Sequence, residues 1–192
     1  MKSYNEALKI LKKSHIKISH EVIKSINSLN RVCTSNIYTK NSYPSENNSS
    51  LDGFAINFNN TKDISYKNFK KFKIVGSISA GSKPTRKFLK KNESIEIMTG
   101  GIMPNGTNAI IPLEDCIFIK EGKKKYIIIK KTYKKFENVR LKGSDYKIGD
   151  LVIRKNTLIN SSHIKALKAL GIENIKVKKK INVVFFSSGN EI

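Results

Sequence analysis

The apolar positions fall into short sets whose spacing changes along the chain. Ala7, Leu8, Ile10 and Leu11 form one helical stripe, and Ser3 with Glu6 fits an S-x-x-E capping box just before it. Val22, Ile23, Ile26 and Leu29 are also at helical spacing and predict a second helix over 21–29, with Asn30 as a left-handed stop. Residues 32–38 read as a strand. From 72 to 132 the pattern shifts to short β-rich runs at 72–78, 94–98, 108–112, 116–119 and 126–132. Gly76, Gly81, Gly100, Gly101, Gly106 and Gly122 punctuate them. That spacing predicts a small barrel or sandwich. A turn at 147–150 leads into a strand at 151–154. Asn160 or Ser161 then caps a helix with Ile164, Leu167, Ala169 and Leu170 on its apolar side, ended by Gly171. A strand follows at 175–177.

Two segments break the pattern. Residues 41–50 are all turn formers, and their bland reading is a linker. Residues 181–186 are fully apolar and lead into Ser187-Ser188-Gly189-Asn190-Glu191. An apolar strand entering a Gly-containing polar turn is how a parallel α/β sheet commonly begins. The expectation is a strand completed by more chain or by a partner.

Charge changes the picture less than its size suggests. The 192 residues carry a formal net charge of +22, yet only four of the 37 basic residues are arginines. Phosphate and base recognition favours the planar guanidinium. Lysine excess alongside many Asn and Ile residues is also what an AT-rich genome encodes, so a specific nucleic-acid surface is not expected. A lysine-rich nucleic-acid-binding protein stays as a remote alternative. No run of about 18 apolar residues suits a membrane span. Cys33 and Cys116 form no C-x-x-C pair, and a cytoplasmic, reduced protein without disulfides is expected. His15, His20 and His163 have no metal-ligand spacing, so no metal ligands are assigned among them.

Four segments carry the chemistry. They are Asn47-Asn48-Ser49-Ser50-Leu51-Asp52-Gly53-Phe54-Ala55; residues 97–111 with Thr99-Gly100-Gly101 and Pro104-Asn105-Gly106, then Glu114; Asn138-Val139-Arg140-Leu141-Lys142-Gly143-Ser144-Asp145; and Phe186-Ser187-Ser188-Gly189-Asn190-Glu191-Ile192. Taken alone, Asp52-Gly53 is a turn, and Thr99-Gly100-Gly101 is either a strand-ending turn or a cradle for an oxyanion. Pro104-Asn105-Gly106 reads as a type II or related turn. Arg140 and Asp145 read as a structural pair across Gly143. Glu114 suits either a site or a lysine partner.

In this order and at these spacings the four segments resemble the MoeA and gephyrin E-domain family of molybdopterin molybdenumtransferases, over about residues 4–192. The resemblance implies insertion of molybdate into adenylated molybdopterin with release of AMP, Mg²⁺ taking part. It implies catalytic roles for Asp52, Thr99 and Glu191, with Asp52 and Thr99 reaching a neighbouring subunit's site. It implies substrate-binding roles for Asn48, Ser49, Gly53, Gly100, Gly101, Ser188 and Gly189. A homodimer, or a partner supplying a missing domain, is expected, and no membrane. The departures are mild: Asn47 for Asp, Leu51 for Met, Ile102 for Pro, Asn30 for Gly, Ser144 for Glu and Asn190 for the commoner Asp.

The expected fold is a mixed α/β (α+β) architecture. A helix-and-strand linking domain takes 1–45 and 135–180, a barrel-like β-rich domain is inserted at 46–134, and 181–192 open a truncated molybdopterin-binding domain. Because the sequence stops there, the chain is expected to be inactive alone. A non-catalytic dimerisation remnant that pairs with a full-length enzyme is the alternative.

Overall fold

The computed structural model describes residues 3–14, 17–65, 67–83, 88–184 and 186. The elements begin with α1 (Tyr4–Lys13), β1 (His20–Lys24), β2 (Ile37–Tyr38), β3 (Asn48–Ser49) and β4 (Gly53–Ile56). They continue with β5 (Lys70–Ile78), β6 (Glu93–Ile97), β7 (Ala109–Pro112), β8 (Ile117–Glu121) and β9 (Lys124–Ile129). Last come β10 (Val139–Arg140), β11 (Leu151–Ile153), α2 (Ser161–Ala169) and β12 (Asn174–Lys178). The fold is mixed α+β. The chain divides into two compact units, one from residues 1–39 with 149–192 and the other from 40–148.

In the first unit β1 pairs antiparallel with β12, and β2 with β11. The expected helix over 21–29 is instead β1 followed by a 3-10 turn, Ser25–Asn27. Helical spacing misled here because Val22, Ile26 and Leu29 are all exposed. Only Ile23 packs on the core, and adjacent β-branched residues suit a strand. Asn30 is left-handed, φ 59°. The core is Cys33, Ile153, Ile159, Leu167, Ile175 and Val177. The expected caps form at both helices. Ser3 and Glu6 make the capping box of α1. Asn160 accepts from the His163 N–H at 3.0 Å, while His163 Nδ1 accepts from the Asn160 N–H at 3.1 Å, which gives His163 a capping role. Arg31 pairs with Glu21 and donates to the Lys178 carbonyl at 2.7 Å. Residues 181–184 have no regular structure, and Ile181, Val183, Val184 and Phe186 are exposed. Among the described residues the strand expected at 181–186 is therefore not formed, because no neighbouring strand meets its backbone.

The second unit is built on one sheet of order β7-β4-β6-β5-β9-β8. Among the described residues the ladder ends on β7 and β8 without pairing them, where a small barrel or sandwich was expected. All pairs are antiparallel except β5 with β6. The five runs expected between 72 and 132 appear as β5 to β9. The strand the pattern concealed is β4, which lies between β6 and β7 with all four residues buried. Its alternation feeds two cores. Phe54 and Ile56 join Phe72, Ile111, Ile127 and Tyr133 on one face, and Ala55 joins Ile78, Ile95, Ile97 and Ile110 on the other. Burying each of these large side chains contributes about 1.5–3 kcal/mol.

Candidate functional site

Two loops of the second unit clasp each other, the 47–52 loop and the 98–103 loop. Strand β3 starts the first one. It pairs with β10, and Asn48 also bridges to Ile102. The clasp is reciprocal. The Ser49 N–H donates to the Gly101 carbonyl at 2.9 Å, and the Gly100 N–H donates to the Ser49 carbonyl at 2.8 Å. The segment that reads as a linker is thus held in register by the sheet beside it.

Asp52 stands on the turn between β3 and β4. Gly53 is required there because a Cβ would fall 2.1 Å from the Ile111 carbonyl oxygen. The Asp52 carboxylate accepts two hydrogen bonds on Oδ1, from the Thr99 N–H and the Thr99 Oγ1, each at 2.7 Å. These bonds hold its pKa below the ordinary carboxylate value, the hydroxyl contributing most and the N–H next, against a small opposing desolvation. The residue is exposed, and among the described residues Oδ2 makes no hydrogen bond.

Thr99 is positioned by a turn. The Gly101 N–H donates to the Met98 carbonyl at 2.8 Å, and Gly100 sits at φ 79°. A glycine at positive φ in that place marks a type II turn. Gly101 has no room for a side chain, since a Cβ would lie 2.8 Å from Ile97 and 2.9 Å from the Met98 oxygen. All three amides of Thr99-Gly100-Gly101 are engaged within the chain, so the glycines shape a turn and do not offer free N–H groups to an anion. Gly106, at φ 81°, likewise closes the expected Pro104-Asn105-Gly106 turn.

The polar neighbours divide by function. Ser49 bonds the Leu51 backbone and fixes the loop. Asn47 Oδ1 accepts from the Lys142 N–H at 2.8 Å, and an Asn keeps the acceptor an Asp would offer. Asn48 Oδ1 is buried with no hydrogen-bond partner. Beside it lies a cleft of about 200 Å³ lined by Glu46, Asn47, Met103, Asn105 and Thr107. Arg140 and Asp145 pair with each other, as the sequence suggests. Glu114 lies in a 3-10 turn, Leu113–Asp115, and is exposed. Ser188, Gly189 and Glu191 lie outside the described residues.

Sequence reasoning passed over two features. Asn138, at φ 59°, offers its carbonyl to both the N–H and the Oγ of Ser50, at 3.1 and 2.6 Å, and so anchors the Asp52 loop. Its place within the third motif was the available signal. Asp115 accepts from Lys131 and from the Tyr133 hydroxyl, at 2.6 and 2.7 Å. Desolvation raises the pKa of Asp115, and these two partners outweigh it and lower it. Burial pushes the neighbouring Cys116 thiol up to about 12, so it is inert as a nucleophile at neutral pH. Both cysteines are free. Among the described residues no group of His, Cys, Asp and Glu could hold a metal ion by itself. No helix among them is long and apolar enough to cross a membrane.

The family model of the MoeA N-terminal region, domains I and II, matches residues 2–171. A molybdopterin molybdenumtransferase of Staphylococcus epidermidis is 33% identical over 190 residues, covering 99% of this chain and 44% of that protein. One from Staphylococcus aureus is 33% identical over 165 residues, covering 86% and 38%. A crystal structure of the molybdopterin biosynthesis MoeA protein of Pyrococcus horikoshii superposes with a TM-score of 0.80 at 27% identity, covering 92% of this chain and 44% of that one. The chain spans less than half the length of these relatives.

Proposed function

Because the chain belongs to the family of the MoeA N-terminal region, domains I and II, we propose that it is the part of a molybdopterin molybdenumtransferase that supplies Asp52 and Thr99 to the site of molybdate insertion. The reaction in this reading joins molybdate to the dithiolene of adenylated molybdopterin and releases AMP. One observation carries it: an exposed carboxylate on a rigid turn, fixed and held ionised by both donors of Thr99.

A carboxylate with a lowered pKa is a weak proton acceptor and a good partner for a cation. Asp52 is therefore a positioning and electrostatic residue rather than a general base. Its open Oδ2 suits Mg²⁺, which uses one or two carboxylates along with substrate phosphates and water. Bound there, the ion would neutralise charge on the anionic substrates. Thr99 keeps Asp52 ionised and aimed. The Asn48 Oδ1 is buried and without a hydrogen-bond partner, and a substrate-binding role for Asn48 belongs to this reading by resemblance alone. Glu191, Ser188 and Gly189 belong to this reading by resemblance alone.

A second copy of the chain is part of the proposal. Helix α1 buries none of its residues, and Ile10 and Leu11 are exposed on its apolar stripe. Such a face fits a two-fold interface. Native mass spectrometry of the chain reads this directly, and a monomer at micromolar concentration would count against it.

The activity test follows AMP release from adenylated molybdopterin with molybdate and Mg²⁺. It uses an enzyme carrying this chain together with the further domains its relatives have. Asp52→Asn should lower turnover by about a hundredfold while the fold is retained. An unchanged rate would sink the assignment.

A further inference from the structure

Strand β8 ends the six-stranded sheet, and among the described residues no strand pairs with its outer edge. Its exposed side chains are unlike those of a guarded edge. Ile117 and Phe118 are 45% and 58% exposed. Natural edges are usually blunted by charge, proline or bulges along their length. Here the charge is confined to one end. Lys120 sits directly opposite Lys125, and Lys123 and Lys124 lie in and beside the connecting turn. None of these four lysines has a carboxylate within ion-pair distance among the described residues. The nearby Glu121 is taken by Lys71 at 2.6 Å. Like charges directly opposite across a ladder repel. A cleft of about 300 Å³ opens at this point, lined by Phe118, Ile119, Lys120, Lys125 and Tyr126.

We propose that the β8 edge is a docking site for an extended acidic peptide of another protein, which adds to the sheet as a seventh strand. Register defines the chemistry of the occupant. Phe118 and Lys120 lie on one face, two residues apart, opposite Ile127 and Lys125. The Phe118 ring already meets the core ring of Phe54 edge-on, centroids 5.8 Å apart. An incoming strand with an apolar residue beside Phe118 would extend that core. A carboxylate two positions away would lie beside Lys120 and Lys125 and relieve their repulsion. Backbone hydrogen bonds supply affinity in such strand addition, and alternate side chains supply specificity.

Two other occupants fit less well. A second copy pairing through this same edge would set Lys120, Lys123, Lys124 and Lys125 beside their own copies, with no carboxylate to offset them. Single-stranded nucleic acid needs successive stacking platforms. At this hairpin, among the described residues, only Phe118 is open for stacking, because Lys71 covers the Tyr126 ring at 4.3 Å from its centroid.

The test titrates the isotope-labelled chain with a capped synthetic peptide that alternates glutamate with valine and phenylalanine. Amide shifts and hydrogen exchange are read by NMR. The expected result is shifts centred on residues 117–121 and slowed exchange of β8 amides. The paired substitution Lys120→Glu with Lys125→Glu should weaken binding by about tenfold or more, with shifts elsewhere confirming the fold. A probe of the same charge with prolines in place of valines should lose the exchange protection. No binding at the hairpin would overturn the proposal and leave the lysines as edge guards. Equal binding of the proline probe would reduce it to simple charge attraction. Tighter binding of an oligothymidylate at the same amides would replace it with a nucleic-acid surface. No molybdate or molybdopterin is present, so failure here leaves the role of Asp52 untouched, and loss of that role leaves this site untouched.

Discussion

Thr99 closes both of its donors, the backbone N–H and the Oγ1 hydroxyl, onto a single atom of Asp52, each at 2.7 Å. The two bonds differ in what mutation can remove. Thr99→Val deletes the hydroxyl donor and keeps the N–H and the side-chain volume. The Asp52 pKa should then rise toward the ordinary 3.8, since the hydroxyl is the larger cause of its depression. Thr99→Ser should leave it low. Carboxyl-carbon NMR titration reads both variants. The sign for stability follows: a depressed carboxylate stabilises the fold above its ordinary pKa and loses that contribution as pH falls through the lowered value. Thr99→Val should shrink this acid-sensitive part, and an unmoved Asp52 titration would refute the coupling.

Gly53 and Gly76 make a matched pair for testing what a glycine does in this sheet. A Cβ on Gly53 would collide with the Ile111 carbonyl at 2.1 Å, whereas one on Gly76 meets nothing within 4 Å. Gly53→Ala should destabilise the protein by about 3 kcal/mol, because β4 must move away from β7. Gly76→Ala should be neutral or stabilise by about 0.5 kcal/mol through the unfolded chain. Urea midpoints compare the two, and equal effects would mean that the close approach at Gly53 is relieved at no cost.

Tyr133 and Asp115 give opposite pH signatures from one hydrogen bond. Burial first, and then the bond to Asp115, raise the phenol pKa above its ordinary 10.0. A raised pKa stabilises the fold below the ordinary value and is lost as pH rises beyond it. Asp115 is lowered, so its contribution is lost as pH falls below the ordinary carboxylate range. Tyr133→Phe should cost about 1 kcal/mol at neutral pH. It should also reduce the alkaline loss of stability, leaving the part that comes from the buried Cys116 thiol. Denaturation of both proteins from about pH 8 to about pH 11 checks this, and parallel curves would show that the phenol does not govern the alkaline limb.

Much of this architecture can be read from the sequence wherever local chemistry and packing agree. The capping residues Ser3, Glu6 and Asn160, the left-handed Asn30 and the short glycine-punctuated β-rich runs of β5 to β9 are of this kind. Reading failed where packing alone decides. Gly53-Phe54-Ala55-Ile56 is too short to alternate visibly and follows a polar loop, yet it is buried on both faces. Val22, Ile26 and Leu29 mimic a helical stripe and are exposed. At the candidate site, Asp52 and Thr99 were legible as motif members. Their mutual bond was not, since 46 residues separate them in the chain and only the clasp of two loops joins them. The same holds for the tethers from Asn138 to Ser50.

Asn138 lets that last tether be divided into parts. Its left-handed backbone aims its carbonyl at Ser50, and its Nδ2 donates to the Ile110 carbonyl at 3.0 Å. Asn138→Gly keeps the left-handed conformation without strain and removes only the side-chain bond, so it should cost about 1 kcal/mol. Asn138→Ala removes that bond and adds left-handed strain of about 1 kcal/mol, for about 2 kcal/mol in all. If the loop is held mainly by backbone conformation, Asn138→Gly should leave the Asp52 titration low while Asn138→Ala lets it drift upward. If both variants drift alike, the side-chain bond to Ile110 is the true anchor. If neither moves it, the clasp through Ser49, Gly100 and Gly101 positions Asp52 without help from Asn138.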